Sequence, residues 1–559
     1  MQDLITTLNL LAGTLFLVWI TARTVDVRNG GASDRPYFES STAYDWGAYG
    51  IRPQQIYQTF PQRSPKPNLV LQKEYCDPGF VFLNKRADHH GDAPFMIFDN
   101  GANLVWMPES QWHGISATDV TVQQYNGRNY IVFLQLDSSS NRGAERYILL
   151  DESYQVFMEV RPVGHFSGSL RGLRLTDNGS AIISYTNRTR SDMTHSSSLT
   201  EERYESTFQE IGLESGILLF QWRSASTVAS INSVDKSSSG DYLVAGSFSG
   251  NNAVVCVSHK NGRILWQLGG SESSFKDTSG GVAVRFSGRH HANYLEDDKR
   301  LVILDHGATN FVRSTSNLPN SQVLEVHLDL ERMIASASKA YPTTTDISSP
   351  SSIQFLHSRN TLLGFGDKAS FKEVAEGDAV CEIHFAPRKM QTLHQIPGVA
   401  ALTERQHYQI SKYKWVGKPN TLPQVAVDPE EKALYVSWNG ATTIDAWVLQ
   451  SGRKGDSDTW FDLVRVPKKQ FETKIPIPRH SEDILRVVAL DHEWKVAAYS
   501  RTVSKHTKTT LASHRPERIP SWVVTSLSVG FFGVYAYRRF SKSRYTRRSE
   551  FVTEKGARP

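Results

Sequence analysis

The sequence predicts an all-β protein in which repeated units form a β-propeller. From about residue 75 to 450 the chain repeats one pattern: an alternating apolar strand, a turn with Asp, Asn or Gly, and further strands. The unit recurs at roughly 40–60 residues, as propeller blades do, and no long stretch between the two ends has the periodicity of a helix. Because one blade cannot bury its faces alone, we expect the units to close into one domain. An array of β-sandwiches is the alternative architecture.

The composition indicates a folded, β-rich body and gives no sign of nucleic-acid binding. Hydrophobic residues make up 39% and aromatic residues 11% of the 559 residues. Much of the formal net charge of +5 comes from the C-terminal tail, and the body lacks a basic stripe with interleaved aromatic residues. The sequence has no phosphate-binding loop, HExxH motif, GxSxG elbow or dinucleotide-binding fingerprint. We therefore expect neither a cofactor nor a nucleic-acid partner.

The chain has three cysteines, Cys76, Cys256 and Cys381. No two of them have the spacing of a metal-binding or CxxC pair, so we expect no metal site. Two alternatives remain open: one disulfide with a single thiol left over, or three buried free thiols.

Both ends carry apolar segments. Residues 4–20 are long enough for the core of a signal peptide or a signal anchor, although no Lys or Arg precedes them. Residues 519–537 have no charged residue, and a basic tail follows at once, which predicts a transmembrane helix with a cytosolic tail. The glycosylation sequons at Asn178 and Asn187 agree with this orientation. We expect a single-pass membrane protein whose body lies in the secretory-pathway lumen or outside the cell.

The repeats and the ends divide the chain into seven predicted segments. They are a signal peptide or signal anchor (1–23), a loop-rich lead-in (24–70), the propeller (71–455), closing strands or a small β-subdomain (456–500), a stalk (501–518), the transmembrane helix (519–537) and the basic tail (538–559).

Three phrases in the repeats resemble the fungal branch of the arylsulfotransferase family. They are INSVDKSSSGDYLVA at 231–245, VSHKNGRILWQLGG at 257–270 and RHHANYL at 289–295. Three further phrases resemble the same family: PFMIFDNGANLVW at 94–106, YILLDESYQV at 147–156 and LYVSWNGATTIDAWVL at 434–449. The resemblance runs from about residue 70 to 500. It implies a six-bladed propeller and sulfuryl transfer from a phenolic sulfate to another phenol, without an adenylyl phosphosulfate donor. The expected partner is therefore a small phenolic molecule.

The resemblance also implies a histidine nucleophile in the central funnel of the propeller. A neutral imidazole attacks sulfur, and neighbouring cations stabilise the charge that develops on oxygen. His290 falls on the nucleophile position, with His291 in place of the family's acidic neighbour. His306 is a further candidate, because it is close to both in the sequence.

Three other positions depart from the family pattern. Ser230 stands where the family has a histidine, and Ser247 stands where it has an arginine. Arg171 and Gly172 replace a histidine–glutamate pair, although Arg171 keeps a cationic donor. We therefore keep two alternatives to sulfuryl transfer. One is an isomerase or cyclase of a phenolic or polyketide metabolite that uses His290 or His291 for proton transfer. The other is a binding platform without catalysis.

Overall fold

The computed structural model describes residues 26–28, 38, 40–50, 53–85, 93–108, 115–136, 145–164, 166, 168–190, 202–224, 230–248, 251–285, 290–295, 298–305, 322–342, 352–391, 408–453 and 459–509. Among these residues, no helix combines the length and the apolar character needed to cross a bilayer. The predicted membrane segments, 1–23 and 519–537, lie outside the described residues, so both stay predictions.

The lead-in contains short regular elements as well as loops. They are β1 (Asp26–Arg28), α1 (Ser41–Asp45), β2 (Gln54–Ile56), β3 (Ser64–Pro65) and β4 (Asn68–Gln72). Ser40 caps α1, because its hydroxyl accepts a hydrogen bond from the Ala43 N–H at 3.2 Å.

Antiparallel sheets then follow one another along the chain. The first part of the chain supplies β5 (Phe80–Lys85), β6 (Phe95–Phe98) and β7 (Leu104–Trp106) for sheet 1, and β8 (Ser116–Tyr125), β9 (Arg128–Leu136), β10 (Arg146–Leu150) and β11 (Val156–Val160) for sheet 2. Sheet 3 has β12 (Gly168–Leu175), β13 (Ser180–Arg190), β14 (Glu202–Gly212) and β15 (Leu218–Arg223), and sheet 4 has β16 (Ser230–Lys236), β17 (Tyr242–Phe248), β18 (Asn251–Val257) and β19 (Ile264–Leu268).

The later sheets include strands from distant parts of the sequence. Sheet 5 has β20 (Lys276–Asp277), β21 (His290–Tyr294), β22 (Arg300–Asp305), β23 (Gln322–Asp329) and β24 (Ile334–Pro342). Sheet 6 has β25 (Ser352–Phe355), β26 (Thr361–Phe365), β27 (Ser370–Ala375) and β28 (Asp378–His384), and β4 completes it beside β28. A 3-10 turn (Gly366–Lys368) and α2 (Arg388–Gln391) precede β29 (Tyr408–Tyr413), which pairs with β5 and completes sheet 1. The all-β prediction is confirmed, and the arrangement is propeller-like.

Tight turns explain why the strands reverse where they do. In the β12–β13 hairpin, the Thr176 N–H donates to the Ser180 carbonyl at 2.9 Å, and Gly179 adopts φ +76°. Gly240 has φ +93° at the equivalent position of the β16–β17 hairpin. Only glycine adopts this left-handed backbone without steric cost, which accounts for the glycines in the repeated turn signal.

The C-terminal strands form a separate two-layer sandwich. One layer has β30 (Gln424–Asp428), β31 (Ala433–Ser437) and β34 (Glu472–Pro476); the other has β32 (Ile444–Gly452), β33 (Phe461–Pro467), β35 (Ile484–Asp491), β36 (Val496–Tyr499) and β37 (Val503–Ser504). Fully buried Trp447 lies between the layers, as a core tryptophan does in immunoglobulin-like sandwiches.

The structure places the boundary of this subdomain earlier than the sequence predicts. Strands β30 to β32 belong to the sandwich although they fall within the predicted propeller segment of 71–455. The subdomain therefore begins near residue 424 rather than 456. The propeller-like part runs from 68 to 413, since β4 and β29 are its outermost strands in sequence.

The cysteines follow the first of the two alternatives. Cys76 and Cys381 form a disulfide with a Cα–Cα distance of 5.7 Å, and Cys256 is free and buried. Burial raises the pKa of the Cys256 thiol to about 12, so it is an unreactive core residue.

Candidate active site

Each of sheets 2 to 5 contains four consecutive antiparallel strands, and the first strands of these runs are β8, β12, β16 and β21. Side chains on the first strand of one sheet bind the backbone of the first strand of the next. Ser233 in β16 accepts from the Ala292 N–H in β21 at 3.0 Å, and Asp235 accepts from the Tyr294 N–H at 2.8 Å. Both bonds join residues 59 positions apart, so β16 and β21 run in the same direction in fixed register.

Sheets 2 and 3 are joined in the same way. The Gln123 side-chain amide in β8 donates to the Leu173 carbonyl at 2.8 Å and accepts from the Leu175 N–H at 2.7 Å. These first strands belong to different sheets, so they are not paired by backbone hydrogen bonds. The side-chain hydrogen bonds take the place of that pairing and hold the strands side by side.

Three of these first strands meet at one charged cluster. The Arg174 guanidinium in β12 lies 2.8 Å from Asp235 in β16, and its other arm donates to the Asn293 side chain in β21 at 3.3 Å. Arg174 therefore spans sheets 3, 4 and 5. Its side chain is 47% exposed, whereas that of Asp235 is 2% exposed, so the guanidinium is open to a ligand while its carboxylate partner is enclosed.

Two opposing effects act on the pKa of Asp235. Burial raises the pKa of Asp235, and the Arg174 guanidinium and the Tyr294 N–H oppose that rise because they favour the carboxylate. Removal of Arg174 would therefore leave a buried carboxyl group without its cation.

The first strands carry bulges just before this cluster. In β12 the register shifts between Leu170 and Gly172, so Arg171 is the extra residue. In β16 it shifts between Ile231 and Ser233, so Asn232 is the extra residue. Arg171 lies three residues before Arg174, and Asn232 three before Asp235, so the two bulges occupy equivalent positions. Bulges of this kind re-aim side chains and are common beside active sites.

Three of the predicted catalytic residues lie on strands that contribute to this cluster: Arg171 on β12, and His290 and His291 on β21. His290 and His291 open β21, paired with Asp305 and Leu304, and His290 lies three residues before Asn293. Arg171 is exposed, and its Nε donates to the Thr186 hydroxyl at 3.4 Å. His306 lies outside the described residues.

The positions that depart from the family pattern lie in the same region. Ser230 and Ser247 face each other as cross-strand partners in β16 and β17, and the Ser230 hydroxyl donates to the Asn232 side chain at 3.2 Å. Gly172 directly follows the bulged Arg171 in β12. These positions lie on β12, β16 and β17, and β12 and β16 also carry Arg174 and Asp235.

Sequence reasoning missed Arg174, Asp235 and Asn293 as a group. A signal was present: Arg174 and Asp235 each lie five residues before the turn glycines Gly179 and Gly240. Aligning the repeats on those glycines places the two residues at the same level of adjacent sheets.

Metal-ligating side chains come together in only one group within the described part of the chain. It consists of Cys76, Glu373 and Cys381. The two cysteines form the disulfide, so their sulfur atoms are not metal ligands.

Comparison with known proteins supports the family resemblance over part of the chain. Residues 223–386 match the family model described as Arylsulfotransferase (ASST), which confirms the predicted resemblance there. The match covers sheets 4, 5 and 6 and includes Asp235, His290 and Asn293. It suggests an arylsulfotransferase-like function. No curated protein matches the chain.

Solved structures of low similarity also align with the chain. A protein of unknown function from Bacteroides caccae aligns over 54% of this chain and 93% of its own, with 14% identity and a TM-score of 0.34. A catalytically inactive virginiamycin B lyase from Staphylococcus aureus with quinupristin aligns over 67% and 92%, with 10% identity and a TM-score of 0.28. The periplasmic gluconolactonase of Pseudomonas aeruginosa aligns over 68% and 97%, with 14% identity and a TM-score of 0.27.

Proposed function

We propose that this chain transfers a sulfuryl group from a phenolic sulfate to a second phenol, with His290 as the nucleophile and without an adenylyl phosphosulfate donor. The observation that carries the proposal is that first strands of three adjacent sheets converge at Arg174, Asp235 and Asn293, with His290 three residues along β21. The match to the arylsulfotransferase model over 223–386 supports the same reaction.

The proposed reaction has two steps. The His290 imidazole attacks sulfur, an N–S bond forms, and the S–O bond to the donor phenol breaks, so that a phenolate leaves. The acceptor phenol then attacks the sulfo-histidine, loses its proton and releases the imidazole. Arg171 and Arg174 would stabilise the charge on the sulfuryl oxygens and the leaving phenolate.

We propose six blades for the propeller, one for each of sheets 1 to 6. In support, sheets 6 and 1 are joined like the others: the Gln354 side chain in β25 donates to the Lys412 carbonyl in β29 at 2.7 Å and accepts from its N–H at 2.8 Å. A contact between the last and first sheets is what closure of a ring requires.

The decisive experiment is an assay of the purified body with 4-nitrophenyl sulfate as donor and a panel of phenols as acceptors, without any nucleotide. We expect turnover that falls by at least about 10³-fold in His290→Ala, as removal of a nucleophile does. His259→Ala is the matched control, since His259 also lies in the family-matched region but is a partly exposed turn residue bonded to Asp241. Absence of turnover from folded wild-type protein would overturn the proposal.

We further propose that the body is luminal or extracellular and is anchored by residues 519–537. Two features of the body support this proposal. The Cys76–Cys381 disulfide suits an oxidising compartment, and Asn178 is exposed at the tip of the β12–β13 turn. Asn187, by contrast, is half-buried within β13. Endoglycosidase treatment of protein from host membranes should shift its mobility, and Asn178→Gln should remove most of that shift. An unchanged mobility would argue against a glycosylated luminal body.

A further inference from the structure

A cavity lies where the sandwich packs against sheet 1. Its volume is about 190 Å³. The lining residues come from both bodies and are Phe80, Asp99, Leu104, Val105, Ala441, Thr442, Lys468, Gln470 and Phe471. The lining is partly apolar and aromatic, and it also carries an amine, a carboxyl group, a hydroxyl group and an amide.

Hydrogen bonds join the two bodies beside this cavity. The Gly440 N–H of the sandwich donates to the Val105 carbonyl of β7 at 2.9 Å, and the Tyr154 hydroxyl of sheet 2 donates to the Gly440 carbonyl at 2.8 Å. A Cβ atom at Gly440 would come within 2.3 Å of the Tyr154 ring, so this close approach requires glycine. The interface next to the cavity is therefore closely packed.

Lys468 is the amine among the lining residues of this cavity. Its ammonium donates to the Ala441 carbonyl at 2.6 Å. Burial lowers the pKa of Lys468 to about 8, although the carboxylates of Asp99 and Asp445 oppose that change. Asp99 accepts a hydrogen bond from the Asn103 N–H at 2.8 Å. Its charge also opposes the lowering of the Lys66 pKa by burial. A lysine of this kind has a substantial neutral fraction near neutral pH, and the neutral amine is a nucleophile.

We propose that this cavity binds a small aromatic aldehyde or ketone and that the Lys468 amine forms an imine with its carbonyl carbon. The amine nitrogen attacks that carbon, a C–N bond forms, and the carbonyl oxygen leaves as water with the two amine protons. The apolar lining residues Phe80, Leu104 and Phe471 hold the ring of the ligand, while Lys468 binds its carbonyl end. This site is separate from the cluster around Arg174 and does not depend on sulfuryl transfer.

The test is reductive trapping on the full-length chain. The protein is incubated with benzaldehyde and sodium cyanoborohydride, and adducts are located by peptide mass spectrometry. At pH 7.5 we expect at least about tenfold more adduct on Lys468 than on Lys418, whose side chain is 57% exposed, because the cavity holds the aldehyde beside the Lys468 amine and burial lowers the pKa of that amine. The rate of labelling at Lys468 should reach half its maximum near pH 8.

Two variants distinguish the contribution of the cavity to labelling from that of the Lys468 amine. Lys468→Arg keeps the cation and should lose the adduct. Gln470 is exposed and lines the cavity, so the larger side chain of Gln470→Trp should fill part of the cavity while the Lys468 amine remains. This variant should reduce labelling of Lys468 at least about tenfold, because the aromatic ring of the ligand loses its space. Equal labelling of Lys468 and Lys418, or labelling of Lys468 that Gln470→Trp leaves unchanged in a protein that melts like wild type, would overturn the proposal.

Discussion

Two junctions between neighbouring sheets use an ion pair in opposite ways. Between sheets 6 and 1, Lys412 lies 2.7 Å from Glu373, and both side chains are 0% exposed. Between sheets 3 and 4, Arg174 lies 2.8 Å from Asp235, and the arginine is 47% exposed. The first pair is enclosed on every side, whereas the second presents its cation to solvent.

The surroundings of each pair explain the difference. Glu373 also accepts hydrogen bonds from the Asp77 N–H at 2.7 Å and from the Asn360 amide at 2.6 Å, so its oxygens are occupied by the protein. Such a pair can only join two sheets. Arg174 bonds to two residues and still has an exposed guanidinium, so it can serve both the junction and a ligand. The comparison teaches that burial, rather than the presence of an ion pair, separates a structural junction from a candidate site.

The largest expected effect is on the enclosed junction. Lys412→Met leaves Glu373 buried without its cation and should lower the free energy of unfolding by about 3–5 kcal/mol, as loss of one partner of a buried pair does. Chemical denaturation of the purified body measures this change. The double variant Lys412→Met/Glu373→Gln should recover part of the loss, because no unpaired charge remains.

The exposed pair Lys418–Glu152 supplies the matched control for this prediction. Its atoms lie 3.2 Å apart, and both side chains are 57% exposed. Lys418→Met should change the free energy of unfolding by no more than about 1 kcal/mol. If Lys412→Met were equally mild, the distinction drawn between the two junctions would be wrong.

An intermediate effect on stability is expected at the open junction. Arg174→Ala leaves the Asp235 carboxyl group with only backbone N–H partners and should cost about 1–3 kcal/mol. Under the proposed function, it should also reduce sulfuryl transfer about 10²-fold, because a charge-stabilising donor is lost. Denaturation and the aryl sulfate assay measure the two effects. A variant with the stability loss and full turnover would assign Arg174 to the junction alone.

The smallest expected effect concerns pH and the clamp between the lead-in and sheet 6. Buried His384 binds Asp45 at 2.9 Å and Glu382 at 2.8 Å. Burial lowers the pKa of His384, but the two carboxylates outweigh burial and raise it above its ordinary value. Because the folded pKa is raised, this stabilisation is complete below about pH 6.5 and is lost as the pH rises through the folded pKa.

Thermal unfolding between pH 6 and 9 checks this prediction. The wild-type chain should exceed His384→Gln in melting temperature by most at pH 6, and the difference should shrink as the pH rises. A constant difference over that range would show that His384 acts through packing or neutral hydrogen bonds. A difference that shrinks would add to the comparison a buried cluster of His384, Asp45 and Glu382 whose charge depends on pH.

The sequence by itself determined the local features of this protein. Alternating apolar strands and turn glycines such as Gly179 and Gly240 predict the all-β repeats, because strand period and left-handed turns depend on neighbouring residues alone. The family phrases select His290 as the candidate nucleophile. The tertiary structure decided how distant segments combine: β4 and β29 complete sheets 6 and 1, and the sandwich begins near 424. It also decided that Arg174, Asp235 and Asn293 meet, because that contact depends on the register between first strands of three sheets, which no local pattern encodes.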